Sequence, residues 1–356
     1  MTLSGRFFLP GPVEIDAVVA QAMLRPMMGH RGVEAGNLVA SCQPGLRACF
    51  GTERPVMMIT GSATAMMEAA VKAAVRERAL CIVSGIFGER MAYTIEHNGK
   101  EVVRLHVHRG DVLLPDLLDT MLDGPPFDTV TMVHSETSTG ALAPVELLLE
   151  RLRKVEDVIT IVDCVSSLAG IPVEADRWGA DFVLTGSQKA IGIPPGLAFG
   201  VASQRFLDRA QTIEDRGFYL DAIDLFDAAS ESRFPQTPAL PVVYALEKQM
   251  ERIMKEGLEA RFARHRVMRS KMETWVDSHK RCRIFAPPGY RADTVTALVV
   301  DEGKSARTIA HTLAGQGWQV ALGIDEDEDR VIRIGHMGDL MPEQLDPLFA
   351  VLEPLL

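Results

Sequence analysis

The sequence has no long apolar run, no excess of positive charge and no close pair of cysteines. Its 356 residues include 37 Lys and Arg against 48 Asp and Glu, which gives a formal net charge of -11. Because a nucleic-acid partner requires a basic face, this balance argues against nucleic-acid binding. No stretch is apolar enough to span a bilayer, and the first residues lack a signal-peptide core, so we expect no membrane association.

Five cysteines are scattered along the chain without a C-x-x-C pair: Cys42, Cys49, Cys81, Cys164 and Cys282. This spacing favours a reduced, cytoplasmic protein with structural thiols over a disulfide scaffold or a zinc site. Cys42 and Cys49 fall on one predicted helix, and we expect both to face the core. A hydrophobic fraction of 47% is typical of a globular protein with a sizeable core.

Short apolar runs alternate with helical patterns through the first two thirds of the chain. Runs such as "VITIVD" and "DFVLTG" are almost continuously apolar, as expected for a mostly parallel sheet with helices on both faces. "ATAMMEAAVKAAVRER" is predicted to be the helix after the first strand. Beyond about residue 240, long amphipathic helices lead into a smaller α+β unit. We therefore predict an α/β fold with an N-terminal segment (1–16), a large domain (17–256) and a small C-terminal domain (257–356).

Polar and aromatic residues follow several predicted strands where each strand ends. In open α/β sheets, ligands bind beyond the carboxyl ends of the strands, so these residues are candidates for one site. They are Gly61–Thr64, Gly85–Gly88, Ser135–Gly140, Asp163 and Ser187–Lys189.

"ITGSATAMMEAA" places Ser62, Ala63 and Thr64 where a helix begins. Free backbone N–H groups and the positive end of the helix dipole suit a phosphate there, with the two hydroxyls as further donors. The alternative is that Ser62 or Thr64 only caps the helix.

Each remaining candidate also allows more than one interpretation. Asp163 could pair with a protonated ring nitrogen or cap the amides just downstream. Lys189 could lie at the surface, contact a phosphate or form a Schiff base, and the last role requires a partly desolvated pocket. Phe87 could belong to the core or stack on a flat ligand. Together, a phosphate site, an aromatic ring, a carboxylate and a lysine are what pyridoxal 5'-phosphate requires. The G-x-G-x-x-G pattern of a dinucleotide site is absent after the first strand.

Six segments of the chain closely resemble class V aminotransferases of fold type I, of the alanine–glyoxylate and serine–pyruvate type. The matching segments are "FLPGPVEI", "GIFGER", "HSETSTGALAPV", "VDCVSSLAGIPVEADRWGADFVLTGSQKAIGIPPGLAF", "TPALPVVYAL" and "VIRIGHMG". They occur in order over almost the whole chain. The lysine at 189 with an aspartate at 163 is the most specific of these signals.

The resemblance implies that Lys189 forms the covalent link to pyridoxal 5'-phosphate and that Asp163 pairs with its pyridine nitrogen. Phe87 is implied to stack on the ring, where relatives often have Trp, and Ser138 to lie by its phenolic oxygen. Arg333 is implied to bind the substrate carboxylate in a two-pronged pair.

The resemblance also implies a phosphate site shared between two subunits. Its residues are Ser62, Ala63, Thr64 and Gln188 of one subunit and Thr237 of the other, so a homodimer is expected. The sequence departs from the family at Phe234, where relatives often have a Tyr that donates to the phosphate. "GSATA" also replaces the more usual Gly or His after the serine. Both departures bear on the tightness of cofactor binding.

The expected function is transfer of an amino group from alanine or serine to glyoxylate or pyruvate by a ping-pong mechanism. One alternative is a same-fold aminotransferase for 2-aminoethylphosphonate, phosphoserine or ureidoglycine. His30 and Arg31 could provide the extra cations for a phosphate or phosphonate, or could be ordinary surface and interface residues.

Two further alternatives differ in class. A lyase or desulfurase on this fold is less favoured, because a desulfurase needs a mobile cysteine near the site and no cysteine follows Cys282. A relative without enzymatic activity would only bind the cofactor or a protein. His134, Glu136 and His336 are expected to be structural residues.

Overall fold

The computed structural model describes residues 6–122 and 126–356. The α-helices within these ranges are α1 (Ala17–Ala22), α2 (Val33–Phe50), α3 (Ala63–Ala74), α4 (Ile86–His97), α5 (Pro115–Leu122), α6 (Val145–Leu152), α7 (Ala175–Trp178), α8 (Gln204–Gln211), α9 (Ala222–Ser230), α10 (Leu240–Glu256), α11 (Leu258–His279), α12 (Ala306–Gly315) and α13 (Leu345–Leu352). The strands are β1 (Met57–Gly61), β2 (Arg78–Val83), β3 (Glu101–His106), β4 (Thr129–Val133), β5 (Ser135–Glu136), β6 (Ala141–Leu142), β7 (Ile159–Asp163), β8 (Phe182–Gly186), β9 (Gly196–Ala202), β10 (Cys282–Ile284), β11 (Val295–Val300), β12 (Ala321–Leu322) and β13 (Val331–Gly335). Short 3-10 helices cover Asp325–Asp327, Pro342–Gln344 and Glu353–Leu355.

A seven-stranded sheet with the order β1-β9-β8-β7-β4-β2-β3 forms the larger part of the structure. Strands β3, β2, β4, β7 and β8 pair in parallel. Only β9 runs the other way, between β1 and β8. The predicted mostly parallel sheet is therefore confirmed, and the carboxyl ends of its parallel strands share one edge.

Helices cover both faces of this sheet. Alternate strand residues point to opposite faces, so Met58 packs against a cluster that includes α2, α6 and α10, whereas Met57 packs against α3, α4, α8 and α9. Burial on both faces explains why the strands are almost continuously apolar. Cys42 and Cys49 both lie on α2 and are buried, as expected.

Helix α3 ends four residues earlier than its sequence pattern predicts. The pattern runs to Arg78, but the helix ends at Ala74 and β2 begins at Arg78. The Asp128 carboxylate accepts hydrogen bonds from the amides of Arg76, Glu77 and Arg78 at 3.2, 2.7 and 3.0 Å. This distant acceptor replaces the helical carbonyls, so a tertiary contact overrides local helix propensity.

A four-stranded antiparallel sheet, β10-β11-β13-β12, packs with α11, α12 and α13 around a second core. Trp275 and Phe349 stack there with ring centroids 4.7 Å apart. Phe8 from the N-terminal segment belongs to the same core. The chain turns between α10 and α11 at Gly257, where φ is +83°; the domain boundary near this point stays a prediction. No helix of residues 6–122 and 126–356 is both long and apolar enough to cross a membrane.

Candidate active site

The ends of three neighbouring parallel strands bring the predicted site residues together. Asp163 is the last residue of β7, and its neighbours in the sheet are Val133 of β4 and Leu184 of β8. Glu136 follows β4 by three residues and Lys189 follows β8 by three. The carboxylates and the amine therefore meet at the sheet edge where ligands bind in this class of fold.

Lys189 lies in a loop whose two ends are joined by hydrogen bonds of Ser187. Ser187 Oγ donates to the Pro194 carbonyl at 2.7 Å and accepts from the Leu197 amide at 3.2 Å. Lys189 is only 7% exposed, and its Nζ donates to the Pro10 carbonyl. Burial, and then the positive charge of Arg333, lower the pKa of Lys189 to about 8. An amine with such a pKa is partly neutral near neutral pH and can act as a nucleophile.

The N-terminal segment contacts this lysine closely, which the sequence did not predict. A Cβ on Gly11 would lie 2.7 Å from Lys189 Cε and 2.9 Å from Nζ, and Gly11 has a φ of +109°. Only glycine fits both the space and the backbone conformation. The Pro-Gly-Pro at 10–12 was the signal that could have revealed it.

Asp163 is fully buried, and the two interpretations of this residue are compatible. Its Oδ1 accepts a hydrogen bond from the Val165 amide at 2.8 Å, which is the capping interpretation. Its Oδ2 has no hydrogen-bond partner among the residues that the structure describes. Burial raises the pKa of Asp163 to about 7, while the Val165 bond and the charge of Lys189 oppose the increase. A cation at Oδ2 would offset this cost.

Glu136 connects the loops after β2 and β4. One carboxylate oxygen accepts from the Phe87 amide at 3.1 Å, and the other accepts from the Ser138 amide and hydroxyl at 3.0 and 2.6 Å. A Cβ on Gly85 would lie 2.5 Å from Glu136 Cδ, so this contact requires glycine. Burial raises the pKa of Glu136. Glu136 is thus a structural residue that holds the Phe87 and Ser138 backbones in place.

Phe87 is half-buried and is absent from the hydrophobic core clusters. Lys189 Nζ lies 5.8 Å from its ring centroid and Arg90 Cζ lies 5.0 Å from it. The position agrees with stacking on a ligand held by Lys189, although stacking itself stays a prediction. Arg90 is a further cation near the site that the sequence analysis did not select.

The start of α3 presents the positive end of the helix dipole without a side-chain cap. Ser62 occupies the N-cap position, but its exposed hydroxyl makes no capping hydrogen bond, and the first turn has no acidic side chain. A Cβ on Gly186 would lie 3.1 Å from the Ala63 Cβ and 2.8 Å from Gln188 Oε1. The start of α3 and Gln188 are therefore neighbours, as an anion site formed by both requires.

Arg333 extends from β13 towards the loop after β4. Its Nε donates to the Leu322 carbonyl at 2.7 Å and its Nη1 to the Thr137 carbonyl at 3.4 Å. It forms no ion pair with any described residue. Burial lowers its pKa, and the negative charge of Glu136 opposes the decrease. A half-buried guanidinium without a carboxylate is suited to bind the carboxylate of a substrate.

Four other residues of the sequence analysis make no contact with Lys189 or Arg333 in the described ranges. Thr237 is exposed in the connection between α9 and α10, and no contact with Lys189 is seen in the described ranges. Phe234 nearby is buried. His30 is half-buried and Arg31 exposed, just before α2. None of them contacts Arg333 within residues 6–122 and 126–356.

The buried histidines are packed, neutral side chains. His134 Nδ1 lies 2.9 Å from Ser167 Oγ, and His336 Nε2 lies 2.9 Å from Thr296 Oγ1. Burial lowers the pKa of each to about 4. This agrees with the structural role expected for both.

All five cysteines are buried. Burial raises the pKa of Cys42, Cys49, Cys81 and Cys282 to about 12 and raises that of Cys164 as well. None is a reactive thiolate at the surface. The structure therefore provides no support for a desulfurase.

The architecture is that of the fold type I aminotransferases. The structure superposes on the crystal structure of an alanine–glyoxylate aminotransferase from Nostoc sp. with a TM-score of 0.93 and 29% identity, covering 98% of this chain and 94% of that one. Residues 19–325 match the family model described as aminotransferase class-V. The chain therefore belongs to the class V aminotransferase family and is a transaminase.

Two curated relatives extend the comparison. The chain is 34% identical over 336 residues to an uncharacterized aminotransferase of Methanocaldococcus jannaschii, covering 93% of this chain and 87% of the relative. It is 28% identical over 348 residues to the L-aspartate–glyoxylate aminotransferase of Paracoccus denitrificans, covering 96% and 88%.

Proposed function

We propose that the protein is a pyridoxal 5'-phosphate-dependent aminotransferase that moves an amino group from alanine or serine to glyoxylate or pyruvate. It acts as a cytoplasmic homodimer by a ping-pong mechanism. The main support is Lys189, a buried amine with a lowered pKa at the same sheet edge as Asp163. Arg333 extends from β13 towards the loop after β4 at this edge. The five buried, unpaired thiols support a reducing compartment.

The residues present fit the cofactor. Asp163 Oδ2 has no partner among the described residues and would hold the protonated pyridine nitrogen. The start of α3 would bind the phosphate with Ser62, Ala63, Thr64 and Gln188. Lys189 would bind the aldehyde, Phe87 would cover the ring, and Ser138 would lie by the phenolic oxygen. Once bound, this group accepts the electron pair released when the substrate Cα–H bond breaks.

The protein side chains bind the substrate, transfer the proton and stabilise the developing charge. Arg333 binds the substrate carboxylate and so fixes the Cα hydrogen near Lys189. The freed Lys189 amine would take the proton from Cα and would later donate it to the C4' carbon of the bound cofactor. Asp163 keeps a negative charge against the protonated ring nitrogen, which stabilises negative charge that develops on Cα.

The acceptor is better supported than the donor. The Nostoc and Paracoccus enzymes described above are both named for glyoxylate, whereas one is named for alanine and the other for aspartate. Arg333 alone is sufficient for a donor with one carboxylate. Arg90, which lies against Phe87 and has no ion pair among the described residues, favours a second candidate. That candidate is a donor with an acidic side chain, an aspartate or a phosphorylated or phosphonate analogue.

A matrix of donors against acceptors tests the proposal. Alanine, serine, aspartate, phosphoserine, 2-aminoethylphosphonate and ureidoglycine are each offered with glyoxylate or pyruvate, and the half-reaction is followed by cofactor absorbance. Turnover of alanine or serine with parallel double-reciprocal lines supports the main proposal. Preference for an acidic donor that Arg90→Leu removes supports the second candidate. Repeated turnover of a donor without acceptor, beyond one equivalent per active site, contradicts both candidates. A colourless protein that does not react with borohydride also contradicts both.

A further inference from the structure

A buried arginine lies directly behind the candidate active site. Arg261, on α11, is 1% exposed and donates at 2.8 Å to Glu256 and at 3.0 Å to Asp339. These carboxylates neutralise it. Its other two hydrogen bonds go to backbone carbonyls, of Ala169 at 2.9 Å and of Ala190 at 2.8 Å. A charge is retained in such a position only when all its donors are satisfied.

The two carbonyls belong to the two segments that carry the site. Ala190 directly follows Lys189. Ala169 lies in the loop that begins at Asp163, and its φ is +67°, a conformation that side-chain-bearing residues rarely adopt. One planar guanidinium therefore joins the loop of the carboxylate to the loop of the lysine in a fixed geometry.

A second side chain extends the same contact. Gln249 of α10 donates at 2.8 Å to the Ile191 carbonyl and at 3.1 Å to the Asp339 carboxylate. Asp339 itself lies four residues beyond the end of β13, the strand that carries Arg333. The backbone after Lys189 is thus attached at 190 and 191 to a network that extends to the strand of the substrate clamp.

We propose that Arg261, held by Asp339 and Glu256, is a positioning residue that sets the placement of Lys189 relative to Asp163. The inference rests on the proposed function, because it concerns the proton transfer that Lys189 performs there. Arg261 acts through the two loops and contacts neither substrate nor cofactor. Its loss should impair proton transfer while substrate-carboxylate binding by Arg333 persists.

Arg264 provides a matched control on the same helix. Its Nε donates to Glu256 at 2.7 Å, and it also donates to the carbonyls of Gly338 and Leu340. With these three hydrogen bonds it supports the same region beyond β13 as Arg261 does. It contacts neither Ala169 nor Ala190.

The test compares Arg261→Lys with Arg264→Lys. Lysine keeps the charge, so the fold is retained, but it cannot bridge two carbonyls and two carboxylates. In the holoenzyme we expect Arg261→Lys to lower kcat about 10- to 100-fold, because a small misplacement of reacting groups is costly. KM should change less than about threefold, since Arg333 is untouched. Arg264→Lys should keep a kcat close to that of the wild type.

Two measurements on the apoprotein separate this inference from the proposed function. Amide hydrogen exchange should rise in segments 164–171 and 189–193 of Arg261→Lys and stay unchanged in Arg264→Lys. Competitive acetylation of Lys189 should show its pKa moving back towards the ordinary value as water enters, with Arg333, Asp163, Glu136 and Arg90 still present around it. Equal exchange and labelling in the two variants overturns the inference. If the wild-type protein has no transaminase activity but Arg261→Lys still shows increased exchange, the inference stands and only the proposed function is overturned.

Discussion

At the scale of single residues, the site depends on two buried groups whose pKa values are displaced towards each other. Burial raises the pKa of Asp163 to about 7 and lowers that of Lys189 to about 8. Each group bears an electrostatic cost in the ligand-free protein that a bound cation or aldehyde can relieve. Perturbed pairs of this kind concentrate at functional sites.

Asp163→Asn should fold and bind cofactor but lose activity. An amide cannot keep a negative charge against a protonated ring nitrogen, so we expect kcat to fall about 10²-fold or more. Steady-state kinetics of the purified holoenzyme measures this. The control is Asp181→Asn, a buried carboxylate before β8 that accepts from the Thr160 amide at 3.0 Å. It should lower stability and leave kcat intact; near-wild-type kcat in Asp163→Asn would disprove the assigned role.

The lowered pKa of Lys189 also predicts how apoprotein stability depends on pH. Between about 8 and 10.5 the unfolded chain binds more protons at this group than the native state does, so the group makes stability rise with pH across that window. Lys189→Met removes this dependence. It should stabilise the apoprotein by about 3 kcal/mol below pH 8, and by progressively less above it.

Denaturant unfolding at several pH values measures this effect. Lys248→Met, at a partly exposed lysine on α10, is the control for removing one lysine from the chain. A gain for Lys189→Met that is the same at neutral and at alkaline pH would contradict the account.

The sequence predicted which residue types lie at the strand ends, because parallel strands share one carboxyl edge. It could not predict Gly11 or Arg261. Both lie far from Lys189 in sequence, and their proximity depends on how distant segments pack. The two interpretations of Asp163 also needed coordinates, because each uses a different carboxylate oxygen.

At the scale of secondary structure elements, the serines that precede α3 and α8 make different contacts. Ser62 before α3 makes no capping hydrogen bond, whereas Ser203 before α8 accepts from the Phe206 amide at 3.0 Å. The difference supports an anion site at the start of α3. It also provides a matched pair of substitutions.

Ser62→Ala should leave apoprotein stability unchanged within about 0.5 kcal/mol and weaken cofactor binding about tenfold, because one charge-assisted hydrogen bond is lost. Ser203→Ala should have the opposite profile, with a loss of about 1 kcal/mol of stability and unchanged cofactor affinity. Thermal unfolding and cofactor titration of both variants provide the comparison. A stability loss for Ser62→Ala with unchanged affinity would indicate a simple helix cap.

Element types were predictable because apolar periodicity reflects burial, and element ends were less so. Helix α3 continues in sequence pattern to Arg78, but the Asp128 carboxylate binds the amides of the last residues and ends the helix at Ala74. Such an acceptor from a distant loop leaves no mark in the local pattern.

At the scale of the whole molecule, the proposal requires two subunits. Thr237 is exposed and does not contact Lys189 in the described chain, which fits a role at the site of a partner. Mixed dimers of Lys189→Ala and Thr237→Ala test it. If Thr237 acts across the interface, each mixed dimer contains one intact site, and activity should return to about half that of the wild type per dimer.

The two parent homodimers are the controls for the mixed dimers and should each be impaired. Activity of the mixture equal to the average of the two parents would show that Thr237 acts within its own subunit.

The central claim is that Lys189 carries the cofactor covalently. Borohydride reduction of the purified holoenzyme, followed by proteolysis and mass spectrometry, tests it most directly. The account predicts one pyridoxyl phosphate adduct per chain, on Lys189, and none in Lys189→Ala. An adduct on another lysine, or none on the yellow wild-type protein, would contradict it.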